Sequence, residues 1–178
     1  MNDIYQKTLA EPVTFNGIGL HSGQASKITI FPADDNQGII FKRTDLKEHN
    51  VVEANYKNVS SAKLCTTLEN SHGVKVSTVE HLLAAFYIFG IDNASVELNC
   101  EEIPIMDGSA KNFLEILKKK GTKTLQSKRK FLKVSSKLEL VDGKRKISIE
   151  PNENSFEVDF QLNYENEIIG KQKNVVNF

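Results

Sequence analysis

The sequence predicts an α+β fold, a sheet-and-helix domain followed by the first strands of another sheet. Three observations carry this. Short alternating or β-branched runs bounded by Gly, Asn, Asp or Pro recur through the first hundred residues; only two segments show a helical apolar stripe; and strand patterns resume after Gly121 with no third helix to cover them. The length agrees: 178 residues with 39% hydrophobic content suffice for one globular domain, or for a small domain and the start of a second.

The strand runs are residues 26–31 (SKITIF), 38–42 (GIIFK), 65–68, 74–76 and 94–100 (ASVELNC). The first helix is expected over 78–89, where Val79, Leu82, Leu83, Phe86 and Tyr87 form one stripe and Gly90 supplies the C-cap. The second is expected over about 110–120, with Phe113, Leu114 and Leu117 on one face, Ser109 or Asp107 as N-cap, lysines in the last turn and Gly121 after it. The polar stretch TKTLQSKRK carries no periodicity, so a domain boundary falls near Lys128, dividing the chain into 1–127 and 128–178. Beyond it, strands are expected at 131–134, 138–141, 146–150 and 156–164, with Asp142-Gly143 as a hairpin turn. Phe156, Val158, Phe160 and Leu162 alternate with polar neighbours, giving a sheet face that must be buried against something. The second domain therefore reads as incomplete.

Composition excludes several functions. Lys+Arg 23 against Asp+Glu 23 leaves no net field to attract nucleic acid or an anionic membrane. No stretch approaches the roughly 18 apolar residues of a membrane span, and the N-terminus lacks a signal-peptide pattern, so a cytoplasmic protein is expected. Cys65 and Cys100 are too few for a disulfide framework and lack zinc-knuckle spacing; they read as small hydrophobes in a reducing compartment.

The strongest chemical candidate is Ser77-Thr78-Val79-Glu80-His81, which sets a carboxylate and an imidazole side by side in the first turn of a helix. Two readings fit. Ser77 and Glu80 satisfy the capping box S-x-x-E, which needs no chemistry. Alternatively His81 ligates a metal while Glu80 removes a proton from water. A catalytic zinc takes three protein ligands, and no HxxxH, HxH or HxxE accompanies His81; His21, His49 and His72 are scattered. The second candidate is GIGLHSG at 17–23, where glycines let backbone approach a ligand and His21 and Ser22 sit at the tip; it lacks the Lys-Ser/Thr of a phosphate loop and a following helix. The third, IPIMDGSA at 103–110, also reads as a strand end, a turn and a helix cap. The lysine clusters at 118–120 and 128–130 read as a helix-dipole partner and a solvated linker.

In order, GIGLHSG, KRTD at 42–45, LCTTL at 64–68, STVEHLLAA at 77–85, GIDN at 90–93 and IPIMDGSA resemble the amino-terminal portion of the zinc-dependent UDP-3-O-acyl-N-acetylglucosamine deacetylases of lipid A biosynthesis. The resemblance runs from about Lys7 onward, is most specific in STVEH and IPIMDGSA, and after Gly121 rests mainly on FEVDFQLNY. It implies two similar α+β domains, each a sheet with two helices, with a small strand insert in the first and only the opening strands of the second present. It further implies that Glu80 is the general base, that His81 is the first Zn2+ ligand, and that the substrate is a UDP-linked acylated N-acetylglucosamine losing acetate. Leu64, Cys65 and Thr66 then match the insert strand bordering the substrate, Tyr164 matches an aromatic residue near the uridine, and Arg145, or its neighbour Lys144, a basic residue near the diphosphate; His21, at the tip of the glycine loop, is expected to contact the substrate on the loop reading above. The family's other two zinc ligands and the acid that protonates the leaving amine are expected beyond Phe178, in the missing C-terminal half, so the 178-residue chain alone is expected to be inactive.

Three alternatives stay open. A non-catalytic UDP-sugar-binding module would show ligand affinity without metal. A structural or regulatory remnant pairing its unfinished sheet with another chain would show a concentration-dependent mass. A dinucleotide enzyme built on GIGLHSG would show a cofactor-induced thermal shift.

Overall fold

The computed structural model describes residues 4–177; residues 1–3 and 178, included in the ranges expected above, lie outside them. The chain divides into two units, one closing at Arg129 and the other opening at Lys130. In the first, the elements are β1 (Tyr5–Leu9), β2 (Val13–Ile18), β3 (Ala25–Pro32), β4 (Ile39–Arg43), β5 (Val51–Glu53), β6 (Val59–Ser61), β7 (Thr67–Glu69), β8 (Lys75–Ser77), α1 (Glu80–Phe89), β9 (Ala94–Leu98), α2 (Lys111–Lys120) and β10 (Thr122–Lys128).

Alternation builds the main sheet. Its order is β2-β3-β9-β4-β5, antiparallel except for the β4–β9 pair, where Phe41 lies opposite Val96. Every second residue turns inward: Val13 and Phe15, Ile28 and Ile30, Ala94, Val96 and Leu98, Phe41, and Val52 are all buried. They share one core with Leu82, Ala85 and Phe86 of α1 and Phe113 and Leu117 of α2. The rings of Phe15 and Phe113 meet at 5.0 Å and 57°, fixing α2 over β2. This is a sheet carrying two helices, the α+β architecture the sequence predicts.

Both helices end as expected. Gly90 takes the left-handed conformation (φ 76°), and the Gly121 N–H donates to Leu117 O. Their starts differ from expectation. The N-caps are Val79 and Ala110, neither with a side-chain cap bond. Ser109 Oγ instead accepts from the Lys111 N–H at 3.1 Å, after Ser109 has itself bonded Asp107. Tyr87, expected on the apolar stripe, is exposed, because the buried arc centres on Leu82 and Phe86 and the next residue lies about 100° around the axis.

The stretch expected to be an aperiodic linker is strand β10, antiparallel to β1 with Lys7 opposite Thr124. Ladder bonds are made by backbone, so a polar strand of this kind leaves little pattern. Side chains reinforce it: Gln6 Nε2 donates to Lys128 O at 3.1 Å, and the Ser127 N–H to Asp35 Oδ1 at 2.8 Å. Arg129 is likewise no solvated linker residue; it pairs with Asp92 at 2.9 Å and donates to Gly90 O. A separate three-stranded sheet, β6-β7-β8, includes two of the runs expected as strands. Cys100 is buried and Cys65 half-buried, both free.

The second unit holds two hairpins: β11 (Leu138–Asp142) with β12 (Arg145–Ile149), and β13 (Glu157–Asn163) with β14 (Lys171–Asn177). The first turns through Gly143-Lys144, with Gly143 at φ 58°, as the leading position of a type II′ turn requires. Residues 131–134, expected as a strand, form none. Leu140 opposite Ile147, and Val158 and Phe160 on β13, are exposed among the described residues. No helix is long and apolar enough to cross a membrane.

Candidate active site

The start of α1 is held from three sides. Arg43, buried at the end of β4, grips Asp45 through two bonds (2.8 and 2.6 Å) and donates Nη1 to Lys75 O at 2.9 Å, so the KRTD motif fastens β8. The Asp45 carboxylate beside it raises the Arg43 pKa, and the guanidinium holds the Asp45 carboxyl below its ordinary range. The Ser77 N–H donates to Glu101 O and Ser77 O accepts from the Ile103 N–H, tying the end of β8 to residues 101–103. Thr78 then takes φ 58° while 1% exposed. A β-branched residue in the left-handed region costs about 1–3 kcal/mol and persists only where its surroundings hold it.

Glu80 does not close a capping box. Ser77 has already placed its N–H on Glu101, and the Glu80 carboxylate reaches sideways: Oε2 accepts from the Thr66 N–H at 3.0 Å, while Thr66 O accepts from the Val79 N–H at 3.4 Å. Thr66 therefore lies against the first turn of α1, with Leu64 and Cys65 preceding it in the chain. Leu64 is 83% exposed with φ 70°, and Cys65 Sγ sits 3.8 Å from Thr67 Oγ1. Among the described residues, Glu80 Oε1 and both ring nitrogens of His81 make no hydrogen bond, and both residues are partly exposed. On a helix they point about 100° apart.

The connection to His21 runs through Glu102, which sequence reasoning did not single out. Its side chain is 3% exposed and accepts from the His21 N–H (3.0 and 3.3 Å), the Ser22 N–H (2.8 Å) and Thr78 Oγ1 (2.9 Å). Burial pushes its pKa up, but the amides of His21 and Ser22 and the hydroxyls of Ser22 and Thr78 outweigh burial and bring it down to about 2. Gly19 is needed here, since a Cβ would collide with the Ser22 hydroxyl and the Glu102 carboxylate. The GIGLHSG loop is thus not a phosphate cradle: the two amides at its tip are already bonded to a carboxylate. Its second glycine contact is with IPIMDGSA, where a Cβ on Gly17 would press on Pro104, and the Ile105 N–H donates to Ile18 O at 3.0 Å. The one signal for Glu102 was an acidic residue between a strand and Pro104, which reads as a surface position.

His49 and His72 come together, rings 3.8 Å apart and 5° from parallel, beside a cleft of about 330 Å³ that Asn70 also lines. Among the described residues no group of three or more His, Cys, Asp or Glu converges to hold a metal ion. A three-ligand zinc site therefore does not fit these residues, and His81 stands as a single prospective ligand. In the second unit, Arg145 opens β12 opposite Asp142, and the exposed Tyr164 follows β13, its N–H donating to Gly170 O at 3.0 Å. Their neighbours Lys144 and Glu165 approach to 3.7 Å, so the two turns lie side by side.

This arrangement can be set beside known proteins. The family LpxC: UDP-3-O-acyl N-acetylglycosamine deacetylase matches residues 6–178. The UDP-3-O-acyl-N-acetylglucosamine deacetylase of Geotalea uraniireducens (strain Rf4) is 40% identical over 174 residues, covering 98% of this chain and 56% of that protein. Those of Haemophilus ducreyi (strain 35000HP / ATCC 700724) and Nautilia profundicola (strain ATCC BAA-1463 / DSM 18972 / AmH) are 40% and 39% identical, covering 94% and 97% of this chain. The chain spans 55–58% of the length of these curated relatives. With a match extending over both units and relatives near this identity across almost all of its residues, the chain belongs to the LpxC family of UDP-3-O-acyl N-acetylglycosamine deacetylases.

Proposed function

We propose that this chain is the part of a cytoplasmic UDP-3-O-acyl-N-acetylglucosamine deacetylase of lipid A biosynthesis that carries the general base, Glu80, and one zinc ligand, His81. The observation that carries this reading is the Glu80 carboxylate: one oxygen is fixed by the Thr66 amide at 3.0 Å and the other makes no hydrogen bond among the described residues, beside an imidazole equally unengaged. A carboxylate held this way keeps one oxygen free to accept a proton. In the reaction proposed, Glu80 takes a proton from water as the water oxygen bonds to the acetamide carbonyl carbon; the C–N bond then breaks as an acid from outside the 178 residues gives its proton to the leaving amine, acetate is released, and Glu80 returns its proton to solvent.

The roles of the other residues follow from this reading. Leu64, Cys65 and Thr66 border the acylated sugar, His21 contacts it from the glycine loop, and Tyr164 and Arg145 receive the uridine and the diphosphate. Zinc, when bound, supplies Lewis-acid chemistry. The described residues provide no three-ligand set for it. Its further ligands, and the acid for the leaving amine, are proposed to come from sequence outside the 178 residues.

The test compares the complete protein with the 178-residue chain on the UDP-linked acetamide. Acetate release by the complete protein, abolished by a chelator and absent from the 178-residue chain, is the expected result. Zinc-dependent hydrolysis by the 178-residue chain, lost on Glu80→Gln, contradicts the proposed division of the site.

A further inference from the structure

We infer that Glu102 is a positioning residue for this site: its buried carboxylate bonds the backbone of the His21 loop and the hydroxyl of Thr78 together, and so fixes where Glu80 and His81 stand relative to His21. The inference rests on the reading of Glu80 and His81 proposed above.

Three stretches far apart in sequence converge on that one carboxylate. The His21 and Ser22 amides come from the loop between β2 and β3, Thr78 Oγ1 from the turn between β8 and α1, and Glu102 itself from the segment after β9. Glu102 also takes a buried bond through its backbone, its carbonyl accepting from Ser26 Oγ at 2.6 Å, separate from the carboxylate. A buried charge is tolerated only when well hydrogen-bonded, which makes the arrangement close to all-or-none. Displacing the loop or turning Thr78 leaves an ionised group short of donors. The low Glu102 pKa, about 2, shows the charged form to be the one these donors favour.

Thr78 gives the arrangement its bearing on α1. Its left-handed backbone sets the direction in which the chain leaves β8, and Glu80 and His81 follow two and three residues later. The Thr78 hydroxyl bonded to Glu102 holds that conformation from one side and the Val79 to Thr66 bond from the other. Glu102 touches no reacting atom in this scheme. It acts through Thr78 and through the His21 backbone.

The experiment uses the complete protein carrying Glu102→Gln, Thr78→Val, Thr78→Ser or Ser26→Ala, with kcat, KM and zinc content measured for each. Glu102→Gln and Thr78→Val are expected to lower kcat about 10- to 100-fold, the scale on which a small misplacement acts, with zinc retained. Thr78→Ser keeps the hydroxyl and is expected to recover most of the Val loss. Ser26→Ala removes a buried bond to the same residue but spares the carboxylate, and is expected to lower Tm with kcat within about twofold. Equal kcat for Thr78→Val and Thr78→Ser, or a kcat loss in Glu102→Gln no larger than in Ser26→Ala, overturns the role; the Thr78 pair decides if Glu102→Gln does not fold. A second readout is independent of activity: in the 178-residue chain, exchange of the His21 and Ser22 amides is expected to quicken at least about tenfold in Glu102→Gln. Unchanged exchange overturns the tie itself. Full turnover in Glu80→Gln with exchange quickened as expected instead places the fault in the deacetylase reading, and the positioning role falls with it.

Discussion

The Thr66 amide and the Glu80 carboxylate meet at 3.0 Å, joining the turn before β7 to the first turn of α1 across fourteen residues of chain. Shortening the side chain while keeping its charge probes that bond. Glu80→Asp withdraws the carboxylate from the amide, and we expect kcat of the complete protein to fall about 100-fold although a base of similar strength remains. Steady-state kinetics decide it; an unchanged kcat shows that orientation by Thr66 is irrelevant.

Acid stability reports on Glu102. Its pKa falls from 4.5 unfolded to about 2 folded, so the stabilisation is fully present above about pH 4.5 and is lost as pH drops towards 2. The linkage is on the order of 3 kcal/mol at most, by the usual conversion of pKa difference to free energy. Thermal unfolding of the 178-residue chain between pH 7 and 3 is expected to show a steeper acid decline for the parent than for Glu102→Gln. Parallel declines contradict the assignment.

Gly19→Ala tests the packing of the glycine loop on that carboxylate. A Cβ there meets the Ser22 hydroxyl and Glu102, so the loop or the carboxylate must move. We expect a loss of about 1–3 kcal/mol, the range for overpacking a tight site. Urea denaturation measures it, and a variant as stable as the parent shows that the loop has room.

Arg43 is expected to resist conservative replacement. Its fork bonds Asp45 twice and Lys75 O once, a geometry that a lysine ammonium does not reproduce. Asp45 is partly exposed, which limits the loss; Arg43→Lys is expected to cost about 1–2 kcal/mol and Arg43→Ala more. A midpoint for Arg43→Lys equal to the parent's contradicts the account of KRTD as a fastener of β8.

What was legible in the sequence is what local period encodes. The alternation in SKITIF and ASVELNC gave β3 and β9, and the stripe around Leu82 and Phe86 with Gly90 after it gave α1 and its end. What failed depends on distant partners. β10 is a strand because β1 lies beside it, and its own side chains scarcely alternate. Ser77 and Glu80 spell a capping box, yet residues 101–103 and Thr66 take the groups that the box would use. Glu80, His81, Thr66 and His21 were nameable from motifs. Glu102 was not, because an acidic residue looks exposed until its three donors, two of them about 80 positions away, are known.

The central claim is that Glu80 handles the proton and His81 holds the metal. The most direct measurement is zinc content alongside turnover in the complete protein carrying Glu80→Gln or His81→Ala. The account expects Glu80→Gln to lose about 10²- to 10⁴-fold in kcat, the usual contribution of a general base, with zinc nearly intact. It expects His81→Ala to lose both. Equal loss of metal in the two variants, or full turnover in Glu80→Gln, contradicts it.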